Sequence, residues 1–145
     1  IKEKIQKEKE KLIQEWPDED SKYLDYSGKI TKLRSQEKII HEDIQLEIIY
    51  TPGHSQGSIC LYFDVKEKKY LFSGDTLFPG GPGKTTSYLN FKKIYESISN
   101  KIYKLPDETI ILPGHGSGIS IEESKKEFHS FELKGHIFGD ITWKN

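Results

Sequence analysis

The chain has 145 residues, which is the size of one domain built around a single core. Its 22 basic and 23 acidic residues nearly cancel, so no net field attracts nucleic acid or an anionic membrane, and neither is expected as a partner. The single cysteine excludes an internal disulfide, and no apolar run reaches the roughly 20 residues that cross a bilayer. We therefore expect one domain over residues 1–145, in the cytoplasm, with a small-molecule substrate; the oligomeric state is left open.

The first part of the chain predicts a surface helix followed by short strands. Residues 2–16 carry a thin apolar stripe at helical spacing among lysines and glutamates, and Pro17 ends this pattern. Strands are predicted over 30–33, 38–40 and 44–50. The last of these begins with a period-two alternation of apolar and polar residues, as expected for a strand with one buried face.

The next part predicts a hairpin and an irregular loop. Residues 58–65 and 70–72 are apolar stretches separated by a polar turn at 66–69. The glycine- and proline-rich residues 80–83 predict no regular structure.

The remainder predicts two helices around one short strand. The first of these two helices has one apolar face and ends near Pro106, and residues 109–112 are predicted to form the strand. Ser120 with Glu123 three residues later predicts a capping box for a last helix that reaches about Leu133. The apolar face of the helix that ends near Pro106 consists of Phe91, Ile94, Tyr95, Ile98 and Ile102.

Three side chains that can bind metals each follow a predicted strand and a tight glycine turn: His54, Asp75 and His115. Strand ends hold the backbone firmly while the loops let several side chains converge. Glycine beside each ligand allows a sharp turn and leaves room for an ion. Imidazoles and carboxylates are good donors for zinc, iron or manganese. The residues alone therefore predict a metal site built on three strand ends.

The segments that carry these side chains resemble three consecutive motifs of the metallo-β-lactamase superfamily. They are Thr-Pro-Gly-His-Ser-Gln-Gly-Ser at 51–58, Phe-Ser-Gly-Asp-Thr-Leu-Phe at 72–78 and Leu-Pro-Gly-His-Gly at 112–116. The similarity is greatest to the glyoxalase II and persulfide dioxygenase branch, in which Gly-Asp-Thr-Leu-Phe is typical. The resemblance implies an α/β fold, the αββα sandwich of two mixed sheets with helices outside.

The resemblance also implies a role for each ligand and a reaction. His54 would bind a first metal, Asp75 would bridge two metals and take part in catalysis, and His115 would bind the second. Two Zn²⁺ ions are expected in a complete site, with iron as the alternative. A metal-bound hydroxide would then attack the carbonyl of a thioester, ester or lactone. The implied activity is that of a metal-dependent hydrolase.

Two other functions stay open. Proteins resembling persulfide dioxygenase are oxidoreductases that hold a single iron with two histidines and one aspartate, which His54 and Asp75 would supply in part. A non-catalytic remnant that keeps the shape in order to bind another chain would hold no metal. The identity of the metal separates the hydrolase from the oxidoreductase.

The chain departs from the family upstream of His54. The family motif His-x-His-x-Asp-His does not occur, and His41 is the only histidine before His54. We therefore expect an N-terminally truncated part of the sandwich, in which one sheet face that should be buried is exposed.

The remaining polar candidates have simpler interpretations. Lys84, in the loop after Asp75, is predicted to meet an anionic group of the substrate, although a solvated lysine fits as well. The loop lacks the cysteine and arginine that glyoxalase II proteins carry there, so the resemblance names no substrate. Cys60 is predicted to be a small buried residue without a catalytic role. Surface or capping roles are expected for His41, His129 and His136.

Overall fold

The structure, a computed structural model, describes residues 21–24, 30–33, 37–131 and 137–143, with side chains described from residue 37 onward. The predicted helix at 2–16 lies outside the described residues, as does His136. The prediction of a single domain over 1–145 therefore stays a prediction.

Strands account for most of the regular structure before residue 83. The predicted strands at 30–33 and 44–50 are confirmed with their bounds, and the predicted hairpin is confirmed with a longer second strand and a turn of two residues, Lys66 and Glu67. In chain order the strands are β1 (Ser21–Leu24), β2 (Ile30–Leu33), β3 (Lys38–His41), β4 (Ile44–Tyr50), β5 (Ile59–Val65), β6 (Lys68–Gly74), β7 (Leu77–Phe78), β8 (Gly81–Pro82), β9 (Ile110–Pro113) and β10 (Ile119–Ser120).

Six of the described strands form one mixed sheet in the order β10-β9-β6-β5-β4-β3. β6 and β9 pair in parallel, with Tyr70 beside Ile110 and Phe72 beside Leu112, and the other neighbours are antiparallel. Because β4 and β6 are both antiparallel to β5, they run in the same direction as each other and as β9. The carboxyl ends of β4, β6 and β9 therefore lie at one edge of the sheet.

Two α-helices follow the strands, and both begin at a serine cap. Helix α1 (Tyr88–Asn100) starts after Ser87, whose Oγ accepts from the backbone N–H of Asn90, and a short 3₁₀ helix, η1 (Ile102–Lys104), follows it. Helix α2 (Ile121–His129) starts with the predicted capping box, which is confirmed. The expected end near Leu133 is wrong, because α2 ends at His129 and Phe131 packs into the core instead.

The loop at 80–83 was expected to be irregular, and this expectation is wrong. Gly81 and Pro82 form β8, which pairs with β7 around a two-residue turn. Gly80 occupies a backbone conformation with φ of +96°, which glycine adopts at little cost. Proline is tolerated in β8 because this strand is at an edge, where the missing N–H need not pair.

The helices cover one face of the six-stranded sheet. Along β6, Leu71 and Ser73 are buried on that face, and the side chains between them point to the other, as the period of a strand requires. The buried core combines this sheet face with α1, η1, α2 and the chain near its C-terminus. Its members are Ile49, Cys60, Tyr62, Leu71, Leu77, Phe91, Ile94, Ile98, Ile102, Tyr103, Ile111, Ile121, Phe131 and Trp143.

The opposite face of the sheet is apolar and partly open, although Ile48 on this same face is buried. Phe72 in the middle of the sheet is 43% exposed, and Ile44 is 50% exposed. The part of this face around Phe72 is therefore exposed as expected, whereas the part around Ile48 is covered. The groove on this face is lined by Ile44, Leu46, Phe63, Tyr70, Phe72 and Leu112. Among the described residues, no helix is long and apolar enough to cross a membrane.

Two phenylalanines test the difference between the faces. Phe91→Ala removes a fully buried ring and should lower the free energy of unfolding by about 3–5 kcal/mol. Phe72→Ala should cost less than about 1.5 kcal/mol, since the ring is already half in water. Urea unfolding followed by circular dichroism measures both. Equal losses would contradict the assignment of the open face.

Candidate metal centre

The loop that carries His54 is fixed by α1. Gly53 has φ of +144°, and a Cβ there would overlap Ile94 of α1, so glycine lets the helix approach the loop closely. Ser97 Oγ donates to the carbonyl of Pro52 at 3.1 Å, and Lys101 Nζ donates to the carbonyl of Tyr50 at 2.7 Å. Both hydrogen bonds fix the backbone of residues 50–52, which lie just before His54 in the chain.

Asp75 and His115 leave the sheet side by side. Asp75 follows Gly74, which has φ of +52° at the end of β6, and His115 follows Gly114 after β9. The N–H of Gly114 donates to the carbonyl of Gly74 at 2.9 Å and so joins the two loops. A Cβ on Gly114 would lie 3.6 Å from Oδ1 of Asp75, so glycine leaves the carboxylate accessible.

The structure brings the three predicted ligands together around the Asp75 carboxylate. Nε2 of His54 lies 3.6 Å from Oδ2, and Nε2 of His115 lies 3.2 Å from Oδ1. The two histidines thus approach different oxygens of one carboxylate. The exposed fractions of the side chains are 35% for His54, 46% for Asp75 and 81% for His115, so the group is open to solvent.

A backbone hydrogen bond sets the tautomer of His54. Its Nδ1 lies 2.8 Å from the carbonyl oxygen of Lys84. A carbonyl accepts only, so Nδ1 is the donor and carries the proton. In a neutral imidazole the lone pair then lies on Nε2, the atom that faces Asp75. A hydrogen bond on the far nitrogen is what orients most metal-binding histidines.

The two spacings suit two donor atoms that share one ion. Atoms bound to a tetrahedral ion at about 2.1 Å each lie about 3.4 Å apart, close to both measured distances. In the part of the chain that the structure describes, no group of three or more His, Cys, Asp or Glu side chains is placed to hold one ion. The residues therefore form two pairs, each with two donors, and their role as ligands stays a prediction.

A layer of small buried groups lies beneath these loops. Thr51 Oγ1 lies 3.1 Å from Oγ1 of Thr76, which links the chain before His54 to the chain after Asp75. Ser73 Oγ donates to the carbonyl of Leu77 at 2.6 Å. Thr51 Oγ1 also lies 3.5 Å from Sγ of Cys60. Buried hydroxyl pairs with both partners present fix the relative position of the segments that carry them.

Cys60 is fully buried in this layer, as predicted. Burial raises the pKa of its thiol from 9.0 to about 11, and hydrogen bonds from Thr51 and Thr76 offset this in part. A thiol in this state is a poor nucleophile.

Lys84 contacts His54 through its backbone carbonyl, whereas the sequence predicted a role for its side chain. Its carbonyl holds His54, while Nζ lies 3.9 Å from Oδ2 of the exposed Asp140. Contact of Nζ with a substrate stays a prediction. The side chains of His41 and His129 are exposed, in agreement with their expected surface roles.

Sequence reasoning missed two parts of this site. The role of the Lys84 carbonyl could not be predicted, because every residue has a backbone carbonyl whatever its side chain. The Thr51 and Thr76 pair had a weak signal, since each threonine lies inside a motif already singled out.

Comparison with known proteins places these motifs in a family. Residues 2–115 match the family model of the metallo-beta-lactamase superfamily. The probable metallo-hydrolase YqgX of Bacillus subtilis is 44% identical over 72 residues, which cover 49% of this chain and 33% of that protein. The hydroxyacylglutathione hydrolase GloC of Haemophilus influenzae is 35% identical over 106 residues, which cover 72% of this chain and 45% of that protein.

A solved structure agrees with this assignment. The metallo-beta-lactamase from Staphylococcus aureus superposes with a TM-score of 0.60 at 29% identity, covering 65% of this chain and 32% of that one. The matched part of this chain thus spans less than half the length of each of these relatives.

Cys60 gives a test of the buried layer. Below pH 9 the thiol is protonated in both the folded and the unfolded state, so its contribution to stability is fully present. That contribution falls between about pH 9 and 11, where only the unfolded thiol ionises. We expect the free energy of unfolding to drop by about 2–3 kcal/mol over this interval through Cys60 alone. Urea unfolding at each pH measures it.

Cys60→Ala is the control for the other groups that titrate in the same interval. The difference between the two chains isolates the thiol. A difference that does not change with pH would contradict the buried, protonated state of Cys60.

Proposed function

The chain belongs to the metallo-β-lactamase superfamily, and we propose that its His54, Asp75 and His115 hold metal in the centre of a metal-dependent hydrolase. Relatives named as hydrolases support hydrolysis as the class of reaction. Because the chain spans only part of those relatives, the activity proposed is that of the whole protein.

One observation carries the proposal: Nε2 of His54 faces a carboxylate oxygen while Nδ1 donates to a backbone carbonyl. In a neutral ring Nε2 has a lone pair, and so does Oδ2 of Asp75. Two lone pairs directed at each other repel unless a proton on Nε2 or a metal ion lies between them, so a metal bound by both atoms would stabilise this arrangement.

The chain's own residues would bind and orient the metal. His54 with Oδ2, and His115 with Oδ1, would make Asp75 a bridging ligand between two metals. Zn²⁺ suits this mixture of imidazole and carboxylate donors, and iron is the alternative. A divalent cation bound there would lower the pKa of a water ligand to about 7 and polarise a carbonyl group.

Preorganisation of the ligands supports this role. The Lys84 carbonyl holds the ring of His54, and the pair of Thr51 and Thr76 joins the two ligand loops. Ligands held in this way need little rearrangement when a metal binds.

The proposed substrates are thioesters, esters or lactones, whose carbonyl groups suit this chemistry. A relative named as a hydroxyacylglutathione hydrolase supports the thioester class. The side chain of Lys84 is 64% exposed in the loop that follows Asp75, where Nζ would meet an anionic part of the substrate.

Metal binding by the chain tests the proposal. We expect zinc to bind in isothermal titration, and His54→Ala, Asp75→Ala and His115→Ala each to weaken binding by at least about 10-fold, because each removes a ligand. His129→Ala is the matched control, since His129 is exposed on α2. A panel of thioester, ester and lactone substrates with zinc present then tests the reaction.

The outcomes separate the candidate functions. Zinc binding with hydrolysis supports the proposal, and oxygen consumption with iron but no hydrolysis favours the oxidoreductase. Binding that is unchanged in all three alanine variants would contradict these ligands. No binding to the folded chain would leave the non-catalytic remnant as the better account.

A further inference from the structure

Residues 137–143 lie against the loop that holds His54. Gly139 donates its N–H to the carbonyl of Thr85 at 2.8 Å, and the N–H of Thr85 donates to the carbonyl of Gly139 at 3.2 Å. The backbone N–H of Trp143 donates to the carbonyl of Gly80 at 2.8 Å. The C-terminal segment thus holds the loop 80–85 at both of its ends.

Helix α2 holds the same loop from another side. Oε2 of Glu127 accepts from the N–H of Gly80 at 2.8 Å. Both backbone polar groups of Gly80 are therefore bonded to residues that follow it by more than 40 positions along the chain.

The inner side of this loop contacts the ligands directly. The Lys84 carbonyl accepts from Nδ1 of His54, and the N–H of Gly83 donates to the carbonyl of Thr76 at 3.1 Å. A Cβ on Gly83 would overlap the Asp75 carbonyl and lie 3.1 Å from Nδ1 of His54. The loop is packed so tightly against both ligands that a shift of its backbone would move the acceptor of His54.

Trp143 anchors the C-terminal segment. Its side chain is fully buried, with its ring centroid 5.0 Å from those of Phe128 and Phe131. Burying an aromatic ring of this size gives a short segment enough apolar contact to stay docked.

We propose that residues 137–143 are a positioning element for His54: their docking fixes the loop 80–85, which keeps the Lys84 carbonyl on Nδ1 and the lone pair of Nε2 directed at Asp75. Gly139 and Trp143 are the positioning residues, because their backbone hydrogen bonds go to Thr85 and Gly80 of this loop. The consequence for metal affinity rests on the proposed function; the consequence for the His54 tautomer does not.

Docking and metal binding are then linked. A metal that requires the Nδ1–H tautomer binds better when the segment is docked, and by reciprocity its binding stabilises docking by the same factor. Partners that orient a metal-binding histidine typically change metal affinity by 10- to 100-fold, so about 10-fold is expected for residues acting through a loop.

The tautomer of His54 is the first test, measured by long-range ¹H–¹⁵N correlation on the metal-free 145-residue chain at a pH where imidazole is neutral. The wild-type chain should show Nδ1–H. Gly139→Pro removes the N–H that pairs with Thr85, and φ near −65° cannot reproduce the +92° of Gly139. This variant, like Trp143→Ala, should show a mixture in which Nε2–H is prominent, and zinc affinity should fall by about 10-fold.

Two controls separate docking from other effects. Trp143→Phe keeps an aromatic anchor and should retain Nδ1–H. Asp140→Ala removes a side chain that is 84% exposed next to Gly139 but leaves the backbone pairing, and should also retain it.

Gly139→Pro keeps the test available if Trp143→Ala fails to fold, because Gly139 is half-buried and the space around its Cβ position is open. A third readout needs no variant: zinc should slow hydrogen exchange at the amides of Thr85 and Gly139 in the wild-type chain.

The results separate this inference from the proposed function. A tautomer that follows docking in a chain that binds no metal supports the inference and overturns the metal proposal. If the chain binds metal, but folded Gly139→Pro retains Nδ1–H and zinc leaves amide exchange unchanged, this inference is overturned and the metal proposal stands. Wild-type His54 in the Nε2–H form overturns it at once.

Discussion

β6 and β9 are parallel neighbours in the sheet, so the chain leaves both strands at the same edge and carries Asp75 and His115 there together. β4 runs in the same direction and brings His54 to that edge as well. Parallel pairing requires a long connection, which here contains α1 and η1, and this connection packs back on the sheet. The same helix then holds the loop before His54. The pairing of two strands thus sets both the position of the ligands and much of their support.

The Asp75 carboxylate is the second constraint. Its two oxygens face two different histidines, so the described residues form two incomplete pairs and no single complete cage. This arrangement fits the proposed role of Asp75 as a bridging ligand. Within the part of the chain that the structure describes, the apolar sheet face around Phe72 is exposed, although Ile48 on the same face is buried.

Much of this architecture could be predicted because it depends on side-chain identity. The alternation in 44–50 predicted β4, the apolar spacing from Phe91 to Ile98 predicted the core face of α1, and Ser120 with Glu123 predicted the start of α2. The convergence of His54, Asp75 and His115 followed from their places at strand ends and from the resemblance of their motifs to a family.

The parts that could not be predicted depend on the backbone. The Lys84 carbonyl, the pairing of Thr85 with Gly139 and the pairing of β7 with β8 use groups that every residue has, so the sequence carries no pattern for them. The loop 80–83 was predicted irregular because glycine and proline usually indicate turns, yet edge pairing accommodates both. Long-range backbone contacts determine how the site is supported, and only a three-dimensional structure reveals them.

The most direct test of the metal centre is a crystal structure of the chain grown with zinc, with anomalous diffraction recorded at the zinc edge. We expect a peak between Nε2 of His54 and Oδ2 of Asp75 or between Nε2 of His115 and Oδ1, at about 2.0–2.2 Å from the atoms it joins. Zinc bound only at other residues, with neither His54 nor His115 in contact with an ion, would contradict it.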